Sequence, residues 1–340
     1  MAESARRQRH NFRRFAPAVL YAFLLAAFWA AVKHFDLARA TGGHLASGFF
    51  CFALLLAPLW FFAFPLRRQE SRHATSAANY IRTRITGRPA RIALAALACI
   101  PYLVFSIPRH QFDWSMALAT AVFPVALAAL MTEWADEPRL GWRDALALMS
   151  LAWVLELRLL SPVWPYPGVG SFPKLYLADA ALYAFLVVRG IKGMGYSFTF
   201  TRRTLPVALR ELIFFTPFGI GLGLALHFIA FHPRLPSAAM AATAVLLTFL
   251  LTAVPEELFF RGILQNMLER RIGRNGALLL TAALFGLSHF HKGAAFNWRY
   301  VLLATIAGVF YGRAWRSERK VLASAITHTL VDVIWGLWFR

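Results

Sequence analysis

Charged side chains are scarce in this sequence. They make up 15% of the 340 residues, whereas 59% of the residues are hydrophobic. Soluble globular proteins carry about 25% charged residues, so this composition excludes an ordinary soluble domain. Apolar side chains in such excess require lipid as part of their surroundings.

Cysteine is almost absent, with only Cys51 and Cys99, and both lie inside apolar runs. Two isolated thiols exclude a disulfide framework, which needs several paired cysteines. Neither cysteine has the spacing of a metal-ligand motif. We therefore interpret both as buried or lipid-facing thiols.

Long apolar runs recur along the whole chain and are long enough, or nearly so, to cross a bilayer. The eleven runs lie at 16–32, 45–66, 92–107, 114–132, 144–157, 175–188, 211–231, 238–254, 277–290, 300–312 and 321–338. The run at 144–157 contains Glu156 and the run at 175–188 contains Asp179, so nine or ten crossings also fit the pattern. The sequence predicts an all-α, polytopic transmembrane helical bundle of about 9–11 helices.

Acidic residues number 16 against 36 Lys and Arg, which gives a formal net charge of +20. If the eleven runs alternate across a membrane, 27 of these 36 basic residues fall on one side. By the positive-inside rule, this asymmetry predicts a multi-pass protein of the bacterial inner (plasma) membrane, with a cytoplasmic N-terminus and Arg340 on the opposite side. The basic residues are scattered over six membrane-flanking segments, which argues for the lipid bilayer as partner and against nucleic acid.

Hydropathy divides the chain unevenly. Residues 1–205 contain apolar runs with few ionisable groups and long polar interruptions, whereas residues 206–340 have short connections and most of the ionisable residues within apolar runs. No repeat with a period of about 20–50 residues is visible. We expect residues 1–205 to form an accessory transmembrane bundle and residues 206–340 to form the catalytic core.

Three polar clusters interrupt the last apolar runs, where an ionisable side chain costs about 2.5–3.5 kcal/mol on insertion scales and often marks function. Their sequences are EELFFR at 256–261, FGLSH at 285–289 and HTLVD at 328–332. Spacings of four residues within each cluster align polar or aromatic side chains on one helix face. A lone histidine is more often structural, and a glutamate pair is often only a helix cap, so it is the three clusters together that favour a functional site.

The two glutamates of the first cluster are not equivalent. Pro255 is tolerated at a helix start, and acids in the first turn suit the positive end of the helix dipole. Glu257 precedes Arg261 by four residues, the favourable order for an ion pair on one helix face. Glu256 points about 100° away around the helix axis. We therefore expect Glu257 to be an anchor and Glu256 to be a general base facing His289.

These three motifs resemble those of the CAAX-protease and bacteriocin-processing family of intramembrane endopeptidases, to which the type II CAAX prenyl endopeptidases are related. The family patterns E-E-x-x-x-R, F-x-x-x-H and H-x-x-x-N/D occur here in the same order. The segment AGVFYGRAW at 307–315 is similar to the family's connecting helix before the last motif. The resemblance covers about residues 240–340.

The resemblance implies hydrolysis of peptide bonds within the membrane, with a peptide or a membrane-anchored protein as substrate. In such an enzyme Glu256 and His289 would activate a water molecule, while His328 and Asp332 would stabilise the oxyanion. The supporting residues would be Glu257, Arg261 and Phe285.

Asp332 stands where related sequences with asparagine supply a hydrogen-bond donor, and an ionised carboxylate would repel an oxyanion. Three interpretations stay open: Asp332 is protonated in its low-dielectric site, orients His328, or binds a cation. A zinc site of Glu256, His289 and His328 is the alternative cofactor hypothesis. Because no H-E-x-x-H motif occurs and these residues come from separate helices, we expect no metal cofactor.

A proton-coupled transporter is the alternative function, because the same Glu, His and Asp side chains could form a proton relay. Such a protein is expected to contain an internal repeat or matched broken helices, and neither is visible in the sequence. A third hypothesis, a membrane scaffold without catalysis, is disfavoured by the three intact motifs. The sequence therefore predicts a glutamate-dependent intramembrane endopeptidase.

Overall fold

A computed structural model of the chain describes residues 2–34, 43–67, 75–131, 139–233, 235–293 and 297–339. The side chains of the basic segment 6–14, part of the arginine-rich segment 67–91 and Arg234 lie outside the described residues. The chain forms two compact units, residues 1–133 with 149–190, and residues 134–148 with 191–340. The functional division into an accessory bundle and a catalytic core at residue 205 stays a prediction.

Helices build almost all of the first unit. Its α-helices are α1 (Ala2–His34), α2 (Leu45–Phe62), α3 (Ala77–Arg84), α4 (Arg88–Leu94), α5 (Ile100–Ser106), α6 (Trp114–Leu130), part of α7 (Trp142–Glu156) and α8 (Phe172–Leu182). Short 3₁₀ turns cover Ala95–Cys99, Ile107–Arg109 and Pro167–Val169, and a π-helical segment covers Tyr183–Val188. One short antiparallel ladder joins β1 (Pro65–Arg67) to β2 (Thr75–Ser76).

The second unit contains the three polar clusters. Its remaining α-helices are α9 (Thr204–Thr216), α10 (Gly223–Ala225), α11 (Ala238–Thr248), α12 (Val254–Glu257), α13 (Asn266–Leu287), α14 (Trp298–Glu318) and α15 (Val321–Trp338). Its π-helical segments are Pro217–Leu222, Phe249–Ala253 and Leu258–Gln265. Within this unit α14 packs against α13, α9 and α15, and α15 also packs against α11 and α12.

Each of the eleven apolar runs overlaps a helix, so the predicted all-α, polytopic transmembrane bundle is confirmed. Among the described residues, six helical segments are long and apolar enough to cross a membrane. They are Leu45–Phe62, Arg88–Arg109, Pro167–Val188, Thr204–Ala225, Ala238–Leu287 and Val321–Trp338. Two shorter apolar helices cover Ala16–Val32 and Trp114–Leu130.

The helical path through Pro255 differs from the sequence prediction. Pro255 does lie in the first turn of α12, but Ala253 before it has helical angles of φ −65° and ψ −49°. The path continues from α11 through a π-helical segment into α12, which means that no free helix end lies beside Glu256. In a π-helical segment the backbone hydrogen bonds join residues five apart instead of four. This change of pattern accommodates a proline, which has no N–H group to donate, inside a helix. The expected stabilisation of the glutamates by a helix N-terminus is therefore wrong.

Side-chain caps fix the starts of two helices in the second unit. Ser237 accepts a hydrogen bond from the Met240 amide at 3.2 Å at the start of α11. Asn297 accepts one from the Tyr300 amide at 3.3 Å at the start of α14. Both caps satisfy amide groups that have no partner within the first helical turn.

Glycines let α13 and α14 approach closely. A Cβ atom at Gly308 would lie 3.0 Å from the Ala282 Cα atom, and one at Gly286 would lie 2.6 Å from the Val301 carbonyl oxygen. Gly308 and Gly312 are four residues apart on α14, a spacing of small residues that favours close packing of membrane helices. The close approach brings the Gly308 backbone within reach of side chains from the first polar cluster.

We expect Gly286→Ala to lower the thermal unfolding temperature in detergent, because its methyl group must push the Val301 backbone away. Overpacking of this kind costs about 1–3 kcal/mol. Gly336→Ala is the matched control, since nothing lies within 4 Å of its added Cβ atom. Circular dichroism melting curves of both variants provide the measurement. Equal unfolding temperatures would contradict the described α13–α14 contact.

Candidate active site

Glu257 lies at the centre of a buried polar cluster. Its Oε1 atom accepts a hydrogen bond from Arg261 Nη1 at 3.0 Å and another from His328 Nδ1 at 2.8 Å. Its Oε2 atom accepts one from the Ser324 hydroxyl. All four side chains are buried, so protein donors replace water around this carboxylate. The predicted Glu257–Arg261 pair is therefore present.

Arg261 is fully buried and has partners beyond this ion pair. Its Nη2 atom donates a hydrogen bond to the Gly308 carbonyl oxygen at 3.0 Å. Its guanidinium carbon lies 4.5 Å from the centroid of the Phe285 ring and 5.4 Å from that of Tyr311. Cation–π contacts are strongest away from water, so the two aromatic rings stabilise the buried cation.

His328 has a carboxylate on each side of its ring. While Nδ1 donates to Glu257, Nε2 lies 3.4 Å from Asp332 Oδ2 and 3.9 Å from Glu256 Oε2. The Tyr311 ring stacks on the imidazole with a centroid distance of 4.5 Å and an interplanar angle of 16°. Since carboxylate oxygens only accept, the ring serves both neighbours as a donor only in its imidazolium form.

Asp332 is the most exposed of the predicted site residues, with 30% of its side chain accessible. It lies one turn after His328 on α15, and its Oδ2 atom is 3.4 Å from His328 Nε2. This geometry supports the interpretation in which Asp332 orients His328. Its predicted part in oxyanion stabilisation stays a prediction.

Glu256 lies next to this cluster with 9% exposure. Its Oε2 atom is 3.9 Å from His328 Nε2, and its Oε1 atom is 4.0 Å from Lys292 Nζ. Both distances exceed that of a hydrogen bond. The two adjacent glutamates therefore have different surroundings, as the sequence predicts.

His289 is buried at the end of α13, and the structure fixes the orientation of its ring. Nδ1 lies 2.8 Å from the Phe285 carbonyl oxygen, which can only accept a hydrogen bond. The network therefore assigns the proton of a neutral ring to Nδ1 and the lone pair to Nε2. The ring packs between Phe285 and Tyr300, at centroid distances of 4.9 and 4.7 Å.

A cavity of about 100 Å³ brings together three of the predicted catalytic residues, His289, His328 and Asp332, and the predicted supporting residue Phe285. A buried water needs at least about 10–15 Å³ of such volume, so the cavity has room for several water molecules or a small group. Glu256 is not part of its lining and adjoins it through His328. The other walls are largely apolar and include Phe215, Phe228, Leu303, Ala304, Val331 and Trp335.

The geometry of the side chains does not fit the zinc hypothesis. Among the residues that the structure describes, no group of three His, Cys, Asp or Glu side chains could hold a metal ion. His328 Nδ1 is hydrogen-bonded to the Glu257 carboxylate, and His289 Nδ1 is hydrogen-bonded to the Phe285 backbone carbonyl. The absence of a cofactor stays a prediction, and no chemical step below depends on a metal.

Sequence reasoning missed several residues of this site. Ser324 has a detectable signal, because it precedes His328 by four residues and so shares its helix face. Lys292 follows the second motif directly, yet nothing in the sequence pairs it with Glu256. Tyr300 and Tyr311 lie on α14, outside all three motifs, and only the packing of this helix brings their rings against the two histidines.

The comparison with protein families matches residues 238–334 to the model described as Type II CAAX prenyl endopeptidase Rce1-like. This range includes every predicted catalytic and supporting residue, and it confirms the predicted family assignment of the segment. No curated protein and no solved structure matches the chain. The match supports a membrane-embedded protease, a hydrolase with a peptide or protein substrate, and does not favour a transporter.

We expect Glu257→Gln to destabilise the protein strongly, because it leaves the buried Arg261 cation without its counter-charge. Removing one partner of a buried ion pair costs about 3–5 kcal/mol. Glu256→Gln is the matched control: it changes the adjacent carboxylate, whose recorded cationic neighbours Lys292 and His328 lie 4.0 and 3.9 Å away, and it is expected to cost less than Glu257→Gln. Thermal unfolding of both variants in the same detergent provides the comparison. An unfolding temperature of Glu257→Gln as high as that of Glu256→Gln would refute the anchor assignment.

Proposed function

Because residues 238–334 match the Rce1-like endopeptidase family, we propose that this protein is an intramembrane endopeptidase that hydrolyses peptide bonds with water activated by Glu256 and His289. The observation that supports this assignment most strongly is the difference between the adjacent carboxylates. Glu257 is fully buried among three hydrogen-bond donors, whereas Glu256 is 9% exposed at the rim of the cluster, beside Lys292 and His328. A general base needs contact with the water that it activates, and the rim position of Glu256 allows this contact.

His289 is the second group that acts on the water. Its Nδ1–H group is held by the Phe285 carbonyl, so Nε2 is the nitrogen that accepts a hydrogen bond from the attacking water. The surrounding aromatic rings exclude bulk solvent and strengthen the electrostatic interactions of the few polar groups that remain. Glu256 then receives the proton that the water loses.

The substrate carbonyl is polarised from the opposite side by His328. As an imidazolium between carboxylates, its ring carries positive charge toward the oxygen that becomes negative in the transition state. Glu257 holds the Nδ1 edge of the imidazolium ring, and Asp332 orients the ring through Nε2. Asp332 is therefore assigned as a positioning residue for His328.

The reaction is a simple hydrolysis. The water oxygen forms a bond with the carbonyl carbon, and its proton passes to the Glu256 carboxylate. When the carbon–nitrogen bond breaks, the same proton passes to the leaving amine. The products are a new carboxylate and a new amino terminus, and no further reactant is needed.

The distribution of basic residues supports an orientation in the bacterial inner membrane with the N-terminus in the cytoplasm. In this orientation Arg340 lies on the periplasmic side. The substrate is a peptide or a membrane-anchored protein that reaches the site from the cytoplasmic side or laterally from the bilayer.

We expect alkaline phosphatase, which folds only in the periplasm, to be active when fused after Arg340 and inactive when fused after Arg203. The alternation of basic segments across eleven runs is the reason. Enzyme activity of intact cells provides the measurement, with fusion protein levels checked by immunoblotting. The reverse pattern would overturn the orientation.

We expect Glu256→Gln and His289→Ala to abolish cleavage of a quenched fluorescent peptide library by the purified protein in detergent. Loss of a general base typically lowers the rate by at least about 10²–10⁴-fold. His291→Ala is the matched control, because His291 is an exposed histidine two residues beyond His289. Wild-type turnover by Glu256→Gln, in a protein that folds normally, would rule out the assignment.

A further inference from the structure

The proposed site has one hydrogen-bond donor fewer than oxyanion stabilisation normally uses. His328 can offer the oxyanion only its Nε2–H group, which it shares with Asp332, because Nδ1 is held by Glu257. An ionised Asp332 only accepts hydrogen bonds and repels negative charge. Acyl-transfer sites usually direct two or more donors at the developing oxyanion. A second donor is therefore expected on the wall of the cavity that contains His289, His328 and Asp332.

Tyr300 lies on this wall and is held firmly in the first turn of α14. Its backbone amide donates to the Asn297 cap at 3.3 Å. Its ring packs against His289 at a centroid distance of 4.7 Å, against Trp335 at 5.3 Å and against Phe228 at 5.3 Å. The three ring contacts restrict the direction of the phenol group.

The Tyr300 hydroxyl lies within the field of the site carboxylates. Asp332 and Glu256 both act on it electrostatically, and their carboxylates lie 3.4 and 3.9 Å from His328 Nε2. The structure records no hydrogen bond from this hydroxyl to any other residue that it describes. Tyr300 lines the cavity together with both histidines, so its O–H group is available to a group bound there.

Tyr311 differs in the way that it meets the site. It is 1% exposed, and its ring lies flat on the imidazole of His328 at 4.5 Å. Its backbone carbonyl accepts a hydrogen bond from Ser324 at 3.0 Å. Tyr311 therefore acts through His328, whereas Tyr300 packs beside His289 and is only partly buried.

We propose that Tyr300 is a further catalytic residue, whose phenolic O–H donates a hydrogen bond to the oxygen of the scissile carbonyl opposite the His328 imidazolium. The inference rests on the proposed endopeptidase function. As the carbonyl oxygen becomes negative, it becomes a strong acceptor for this hydroxyl. The donor needs no proton transfer, so the phenol remains protonated throughout.

Tyr300→Phe tests this inference because it retains the ring that packs against His289 and removes only the hydroxyl. Removal of one oxyanion donor lowers kcat by about 10²–10³-fold, and we expect KM to change little. A peptide phosphinate, which mimics the tetrahedral intermediate, should lose affinity by a similar factor. A non-cleavable substrate analogue that lacks this tetrahedral group should keep its affinity. Tyr196→Phe, whose ring packs on Phe198 outside the cavity lining, is the matched control.

Three outcomes are distinguishable. If wild-type protein cleaves no peptide of the library, the proposed function itself fails. If wild-type protein and Tyr300→Phe cleave at equal rates, the endopeptidase stands and the donor assignment of Tyr300 is overturned. If Tyr300→Phe loses activity together with thermal stability, and binds the phosphinate and the substrate analogue equally weakly, Tyr300 is structural and the inference is likewise overturned.

Discussion

The buried negative charge of Glu257 is the constraint on which the interior of the second unit depends. Removing a carboxylate from water costs several kcal/mol unless donors replace its hydration. Arg261 supplies one donor from the same helical path, and Ser324 and His328 supply two more from α15. Arg261 in turn reaches the Gly308 carbonyl on α14. One charge thus links three helical segments and fixes the ring of His328.

This linkage gives the adjacent glutamates separate tasks in the proposed mechanism. A carboxylate with three short contacts cannot take up a proton without losing part of its network, so Glu257 is suited to holding charge in place. Glu256 lies at the edge of the same network, at longer distances from Lys292 and His328. The positive charge that Glu257 stabilises on His328 is directed toward the cavity where an oxyanion would form.

The sequence predicts those features that depend on spacing within one helix. The apolar runs indicate the helices, and the interval between Glu257 and Arg261 predicts their ion pair. Features that depend on packing between helices are not predictable in this way. The contact of Ser324 with Glu257 requires the packing of α15 against α12, and the stacking of Tyr311 on His328 requires the packing of α15 against α14. The interpretation of Pro255 failed because π-helical segments carry the helix past it.

A double-mutant cycle between Glu257 and Arg261 tests the central claim most directly. The free energy of unfolding is measured in detergent for the wild-type protein, Glu257→Gln, Arg261→Met and the double variant. Because either single change leaves a buried group without its partner, the account predicts that the double variant is more stable than the sum of the single effects, by about 1–3 kcal/mol. Single effects that add to within about 0.5 kcal/mol would contradict it, since additivity is the mark of independent sites.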